Sequence, residues 1–308
     1  MTHPAAPTSL STAAAHALAT TTKAAPQAKG TTPRWLPRVL PWTDVEAGTY
    51  RLTRTTRRAL PRHGSAQPAV VTSAGHTGEA DLPGMYVDYA RPRAYPMAVA
   101  QSVLRVHTRV SDLYNQPMNQ FEEQLRLTLE VLLERQEDEL VNSPEFGLLR
   151  SAVDRHRIRT LAGPPTPTDL DRLVSKQTRP RYLLAHPRAI AAFGRQCNRA
   201  GVAPETTTLE GRALQSWRGI PILPCDKLRV ARDGTTTILV LRPGTDRQGV
   251  TGLRPARLPG QLRPGVSLHR MGTDDRAVTD HLVSVYHSLS VPIPNAVCAL
   301  DGVEVGHR

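Results

Sequence analysis

The chain has 308 residues, 39% hydrophobic but only 4% aromatic, so a sizeable core is expected and must be built from Leu, Val, Ile and Ala. No run approaches the roughly eighteen apolar residues of a membrane-spanning helix. Cys197, Cys225 and Cys298 are too few and too scattered for a disulfide scaffold or a Cys-based zinc site. The formal charge is +12, with 39 Lys and Arg against 27 Asp and Glu, and among the cations only Lys23, Lys29, Lys176 and Lys227 are lysines. That balance suits either a polyanion partner or a basic surface spread over an arginine-biased chain. The second reading is favoured, because no cationic cluster alternates with aromatics as a nucleic-acid binder requires.

Residues 1–32 are rich in Ala, Thr, Ser and Pro, have little to bury, and read as a disordered or conditionally ordered arm without a secretion leader. Trp35, Leu36, Val39, Leu40 and Trp42 follow between prolines. They form an apolar patch with no room for a core of its own, so it is expected to dock elsewhere, as a contact on a neighbouring subunit. Gly48 to Arg58 reads as a strand and Met85 to Tyr89 as its return, with a polar tip from Leu60 to Pro83. An excursion this long is odd in a compact monomer and makes sense when neighbouring subunits order it. Pro96 to Tyr114 reads as a helix, with Val99, Val103, Val106 and Val110 on one face, interrupted at Asn115-Gln116-Pro117.

Asn119 to Asn142 is the strongest pattern. Phe121, Leu125, Leu129, Leu132, Leu133 and Leu140 recur at spacings of three, four and seven and so share a helix face. Glu122 precedes Arg126 by four residues in the favourable order, and Asn142-Ser143-Pro144 stops the run. After the break at Gly163-Pro164-Pro165, Thr166 to Asp169 reads as an N-cap with Pro167 at the first helical position. Arg181 to Ala185 is a short buried strand, and a helix opens at Pro187 and closes at Gly201. Asp233-Gly234 is a hairpin signal before a strand from Thr236 to Arg242. Val283, Val285, His287, Leu289 and Val291 alternate strictly, and Ala296 to Leu300 is a last strand ended by Asp301-Gly302. Helices and strands mix without a βαβ rhythm, so the class is α+β.

No nucleotide-binding glycine loop, nucleophile elbow or zinc-protease motif is present. His281 and His287 share a strand face without a carboxylate or cysteine to complete a ligand set. Asp154 and His156 sit in a charged turn, and Glu137, Asp138 and Glu139 point in successive directions around their helix. Catalytic, cofactor and metal sites are therefore all expected to be absent.

LYNQPMNQFEEQLRL, ERQEDELVNSPEFGLL, GPPTPTDLD, LAHPRAIAAFGRQCNRAGV, SWRGIPILPCDKL, DRQGVTGL and the closing AVCALDGVEV resemble the shell proteins of family 2 encapsulins. The likeness covers about Ala19 to Val305, and with no inserted cyclic-nucleotide-binding domain it is closer to subfamily 2A. The resemblance implies a Hong Kong 97-type bacteriophage capsid fold, with an N-terminal arm (1–47), an extended loop (48–92), a peripheral domain (93–165 and 264–308) holding a long spine helix, and an axial domain (166–263). It implies a non-enzymatic protein that self-assembles into a hollow icosahedral nanocompartment in the cytoplasm, around a cargo enzyme. In subfamily 2A that cargo is usually a cysteine desulfurase of sulfur metabolism or storage. The shared fold and the +12 charge leave a second reading, a prophage-derived capsid protein that packages nucleic acid.

Overall fold

The computed structural model describes residues 30, 32–46, 48–57, 85–107, 120–245, 248–275 and 278–306. The polar tip from Leu60 to Pro83 and the interruption at Asn115-Gln116-Pro117 lie outside them. In chain order, the first elements are α1 (Leu36–Val39), β1 (Trp42–Val45), β2 (Thr49–Arg57), β3 (Met85–Pro96), β4 (Ala98–His107) and α2 (Gln120–Asn142). Next come α3 (Leu148–Ser151), β5 (Arg157–Arg159), α4 (Pro167–Ser175), β6 (Tyr182–Ala185) and α5 (Pro187–Arg199). The remainder is strand: β7 (Glu205–Leu209), β8 (Arg212–Trp217), β9 (Ile220–Pro224), β10 (Thr235–Leu241), β11 (Thr251–Pro255), β12 (Gln261–Arg263), β13 (Val266–Thr273), β14 (Val278–Ser290) and β15 (Val297–Glu304).

A seven-stranded mixed sheet is ordered β5-β15-β10-β6-β9-β8-β7, and its central strands are buried on both faces while β7 and most of β8 at one edge are exposed. Leu183, Ile238, Val240, Cys298 and Leu300 meet Leu170, Leu173, Phe193 and Cys197 of α4 and α5. Their chain neighbours Leu184, Leu239, Leu241, Val297 and Ala299 point the opposite way, onto the arm, the end of α2 and α3. Burial on both faces explains why β10 and β15 read as continuous apolar runs rather than alternations. All three cysteines are free and buried.

Local sequence signals open α4 as expected. Thr166 accepts from the Asp169 backbone, and the Asp169 carboxylate accepts in turn from the Thr166 backbone, with Pro167 in the first turn. Gly201, at φ +67°, follows α5. Two boundaries differ. Asp233-Gly234 turns the chain into β10, but β10 pairs with β15 and β6, so no hairpin forms there. The last strand does not stop at Asp301-Gly302. It runs on to Glu304, with Gly302 at φ +70°, a conformation open to glycine.

The second sheet runs β1-β11-β14-β13-β12, with β4 on the other side of β14. Phe121, Leu125, Leu129, Leu132 and Leu133 of α2 cover Ala100, Leu104, Val106, Val283 and Val285. Leu140, on the same helix stripe, reaches past that sheet into the arm's core. Arg126 is held by Glu123 at 2.6 Å and Glu130 at 2.6 Å on the exposed side. The residues from Ala98 to His107 are a strand, not the expected helix. Ala100, Leu104 and Val106 are buried at even positions, while Val99 and Val103 stay exposed. The valine spacing imitates a helix face, but the partner is β14, paired continuously from Val278↔His107 to His287↔Ala98.

β11 and β12 belong with the strands under α2, and β15 returns to the seven-stranded sheet. The expected excursion is present as β2 paired antiparallel with β3, from Thr49↔Pro96 to Arg57↔Met85. Its base is fixed by the Tyr95 hydroxyl, which donates to the Val291 carbonyl at 3.0 Å.

Candidate functional site: the arm clamp on the long helix

The five apolar arm residues, expected to meet a neighbouring subunit, lie against this chain's own core. Trp35 and Leu36 are fully buried and Leu40 is 3% exposed, packed with Leu140, Val141, Phe146 and Leu148. Val39 and Trp42 are partly buried on the same cluster. The arm has no core of its own, but the seven-stranded sheet and the end of α2 supply one. Trp42 then lies flat on Gly252, where an added Cβ would come within 2.8 Å of the indole. The indole nitrogen donates to the Pro37 carbonyl at 2.8 Å. Beyond Trp42, β1 runs parallel to β11 and completes the edge of the second sheet.

Polar contacts fix where the arm lies. The Leu36 amide donates to Glu137 Oε1 at 3.1 Å, Arg34 pairs with Glu134 at 2.9 Å, and Thr32 donates to Asp226 at 3.0 Å. Lys227 Nζ lies 2.6 Å from both Glu134 Oε2 and Asp226 Oδ1. Glu134 and Glu137 come from α2, while Asp226 and Lys227 come from the loop after β9. The cluster thus ties three parts of the chain together. Gly30 passes so close to the Glu134 carboxylate that a Cβ would come within 2.2 Å of it.

Glu134, Glu137 and Asp226 bring their carboxyl oxygens within 4.8 Å of one another, the one such group among the described residues. The Lys227 ammonium already occupies the position a cation would take, so the chemistry of the donor set is that of a structural ion-pair network. Glu137 is pushed up to about 7, chiefly by burial, against the pull of the Leu36 amide and Lys227. Beside the cluster, His186, Arg188, Arg195 and Arg229 line an open cleft of about 750 Å³. Arg188 donates to the Gly306 carbonyl and Arg229 to Asp138, so much of that positive charge is already committed.

The three consecutive acids of α2 diverge, as their helical positions require. Glu137 faces the arm, Asp138 takes Arg229 at 3.0 Å, and Glu139 lies 3.0 Å from His287 Nε2. His287 therefore has the carboxylate partner that its sequence surroundings did not reveal. His281, six residues earlier on β14, packs on Phe121 with ring centroids 4.7 Å apart. Asp154 is exposed in its charged turn, and Arg155 donates to His156.

The hydrogen bond with His287, ahead of that with Arg135, holds the Glu139 carboxyl below its ordinary value of 4.5. A depressed carboxylate stabilises the fold above its unfolded value and loses that contribution as pH falls. Glu139→Gln is therefore expected to lower the thermal midpoint at pH 7, with the gap from wild type narrowing as pH falls below 4.5. A gap of constant size across that range would show that the pair contributes nothing through its charge.

Sequence signals for the clamp were present but faint. Glu137 continues the apolar stripe four residues after Leu133 and three before Leu140, so a carboxyl stands at a buried helix position. Lys227 is one of only four lysines in a chain that otherwise uses arginine for its cations.

Comparison with known proteins places this architecture. A family model described as SrpI-like, type 2A encapsulin shell protein, matches residues 54–307. The type 2A encapsulin shell protein SrpI of Synechococcus elongatus is 45% identical over 294 residues, covering 95% of this chain and 93% of the relative. The cryo-EM structure of the holo-SrpI encapsulin complex from Synechococcus elongatus superposes with a TM-score of 0.78 at 43% identity, covering 97% of this chain and 98% of the other. A protein of Microbacterium phage Oxtober96 shares the fold alone, with a TM-score of 0.57 at 13% identity over 95% of this chain and 99% of that one. An α+β chain with a phage-capsid architecture, an arm clamped to a long helix and a paired excursion, this protein belongs to the SrpI-like type 2A encapsulin shell proteins.

Proposed function

We propose that the chain is the repeating subunit of a closed icosahedral shell in the cytoplasm, that the shell holds a cargo enzyme, and that this cargo is a cysteine desulfurase acting in sulfur metabolism or storage. The likeness to the holo-SrpI encapsulin complex over nearly the whole of both chains supports the shell part of this reading, and the choice of cargo follows from the resemblance to subfamily 2A. A physical argument supports it. The β2–β3 ribbon is a two-stranded sheet of its own, and a lone two-stranded ribbon is marginal in water. A neighbouring subunit laid along it supplies the missing support. Within this reading β2 and β3 form the extended loop, and the partly buried Val39 and Trp42 are the arm residues with surface left to meet a neighbour. The sheet under α2 is the peripheral domain, and the strands and helices of residues 166–241 are the axial domain.

The basic charge favours keeping one further outcome in view, a capsid around nucleic acid. Co-expression with a cysteine desulfurase, followed by electron microscopy and protease treatment, tests both. Closed particles that protect the enzyme are expected. Empty particles with the enzyme left accessible would refute the cargo assignment. Nuclease-resistant nucleic acid inside the particles would favour the capsid reading, and only small soluble species would refute assembly itself.

A further inference from the structure

We propose that Glu137 is a proton-operated latch for the arm: its neutral form holds α1 on α2, and its ionisation loosens that contact. The geometry comes first. The Glu137 side chain has none of its surface exposed, one oxygen takes the Leu36 amide, and the other, Oε2, has no hydrogen-bond donor among the described residues. A buried carboxylate with a bare oxygen costs far more than the neutral acid at the same position. The Glu134 and Asp226 carboxylates stand within 4.8 Å and oppose a further negative charge there.

The charges that face it are nearly balanced without it. Arg34 on the arm and Lys227 on the loop after β9 are matched by Glu134 on α2 and Asp226 on that loop. Ionising Glu137 adds a third carboxylate to two cations. The remaining groups do not correct this. Arg263 keeps its charge but lies near Arg34, and the charges acting on Glu137 are those of Lys227, Glu134 and Asp226. His186 lies near Asp226 and is held below its ordinary value by burial. Cys225 is pushed well up by burial and by Glu137 itself, so it stays a thiol.

The direction follows from linkage. Burial raises Glu137 from 4.5 to about 7 in the folded chain. A carboxyl raised on folding contributes stability that is complete below its unfolded value and is lost as pH rises through the folded one. The arm is thus held hardest in mild acid and released above neutrality. A latch that lets go in base is the reverse of ordinary acid-labile carboxylate contacts. The inference needs only the contact between arm and helix, so it stands or falls apart from the cargo assignment.

Hydrogen exchange of the full-length assembled protein tests it, read at the Leu36, Arg38, Val39 and Leu40 amides and corrected for the intrinsic rate at each pH. Opening of the arm is expected to rise about tenfold from pH 6 to pH 8, while peptides from α5 do not change. In Glu137→Gln, which keeps the acceptor oxygen but not the titration, the rise should shrink to less than about twofold. A wild-type arm equally protected at both pH values, or a Gln variant with the wild-type response, would overturn the proposal. Should that variant fail to fold, Glu134→Gln serves. Removing the neighbouring negative charge should move the wild-type transition to lower pH, and a transition that stays put or moves up would count against the latch.

Discussion

Trp35→Ala is expected to be the most damaging single substitution in the arm. The indole is fully buried between α2 and the seven-stranded sheet, and truncating a buried aromatic of this size costs about 3–5 kcal/mol. Because assembly repeats the subunit, the same loss recurs at every position in a particle. Thermal unfolding of the full-length protein should shift down sharply, and the yield of particles should collapse. Trp35→Phe keeps much of the apolar volume and should recover most of both. The comparison is direct because the buried indole nitrogen has no hydrogen-bond partner to lose among the described residues. Particles of Trp35→Ala with wild-type thermal stability would show that the arm is dispensable to the fold.

Lys227→Met is expected to come second, and for an electrostatic reason. The ammonium lies 2.6 Å from both Glu134 and Asp226, with only 11% of its side chain exposed. Removing one member of a buried ion-pair network leaves charge without compensation, a loss of roughly 3–5 kcal/mol. Residual access to water at this site sets the expectation near the lower end. The loss belongs to the orphaned carboxylates rather than to packing, so adding Asp226→Asn to Lys227→Met should restore part of it. Denaturant titration of the two single variants and the double variant forms the cycle. Strict additivity would mean that the two residues do not act together. A Lys227→Met protein within about 0.5 kcal/mol of wild type would mean that the network is only a surface feature.

Much of the fold was legible because it is locally encoded. The long helix is set by its apolar stripe and stopped before Pro144, the start of α4 by Thr166, Pro167 and Asp169, and β14 by strict alternation. The failures arose where the deciding partner is distant in sequence. Ala98 to His107 imitates a helix through its valines, and only its pairing with β14 makes it a strand. The arm's greasy residues were recognised, but not their destination, because Leu36 meets Glu137 across 101 positions. The same applies to the clamp. Thr32 and Asp226 are 194 positions apart, and no periodicity within a window reports such a contact. His287 looked isolated on its strand because its carboxylate stands 148 positions away.

The parallel pairing of β1 with β11 bears on how the chain is made. Asp44 and Arg254, which bridge these strands at 2.6 Å, are 210 positions apart. A ribosome adding about 5–20 residues per second takes roughly 10–40 s to cover that interval. Throughout that time the arm has been synthesised but its docking edge has not. Trp42 and the rest of β1 therefore wait without the strand they pair with, beside an incomplete domain. The subunit becomes self-contained only when the strands near its C-terminus arrive, so the order of synthesis itself delays the moment at which one copy presents a finished surface to the next.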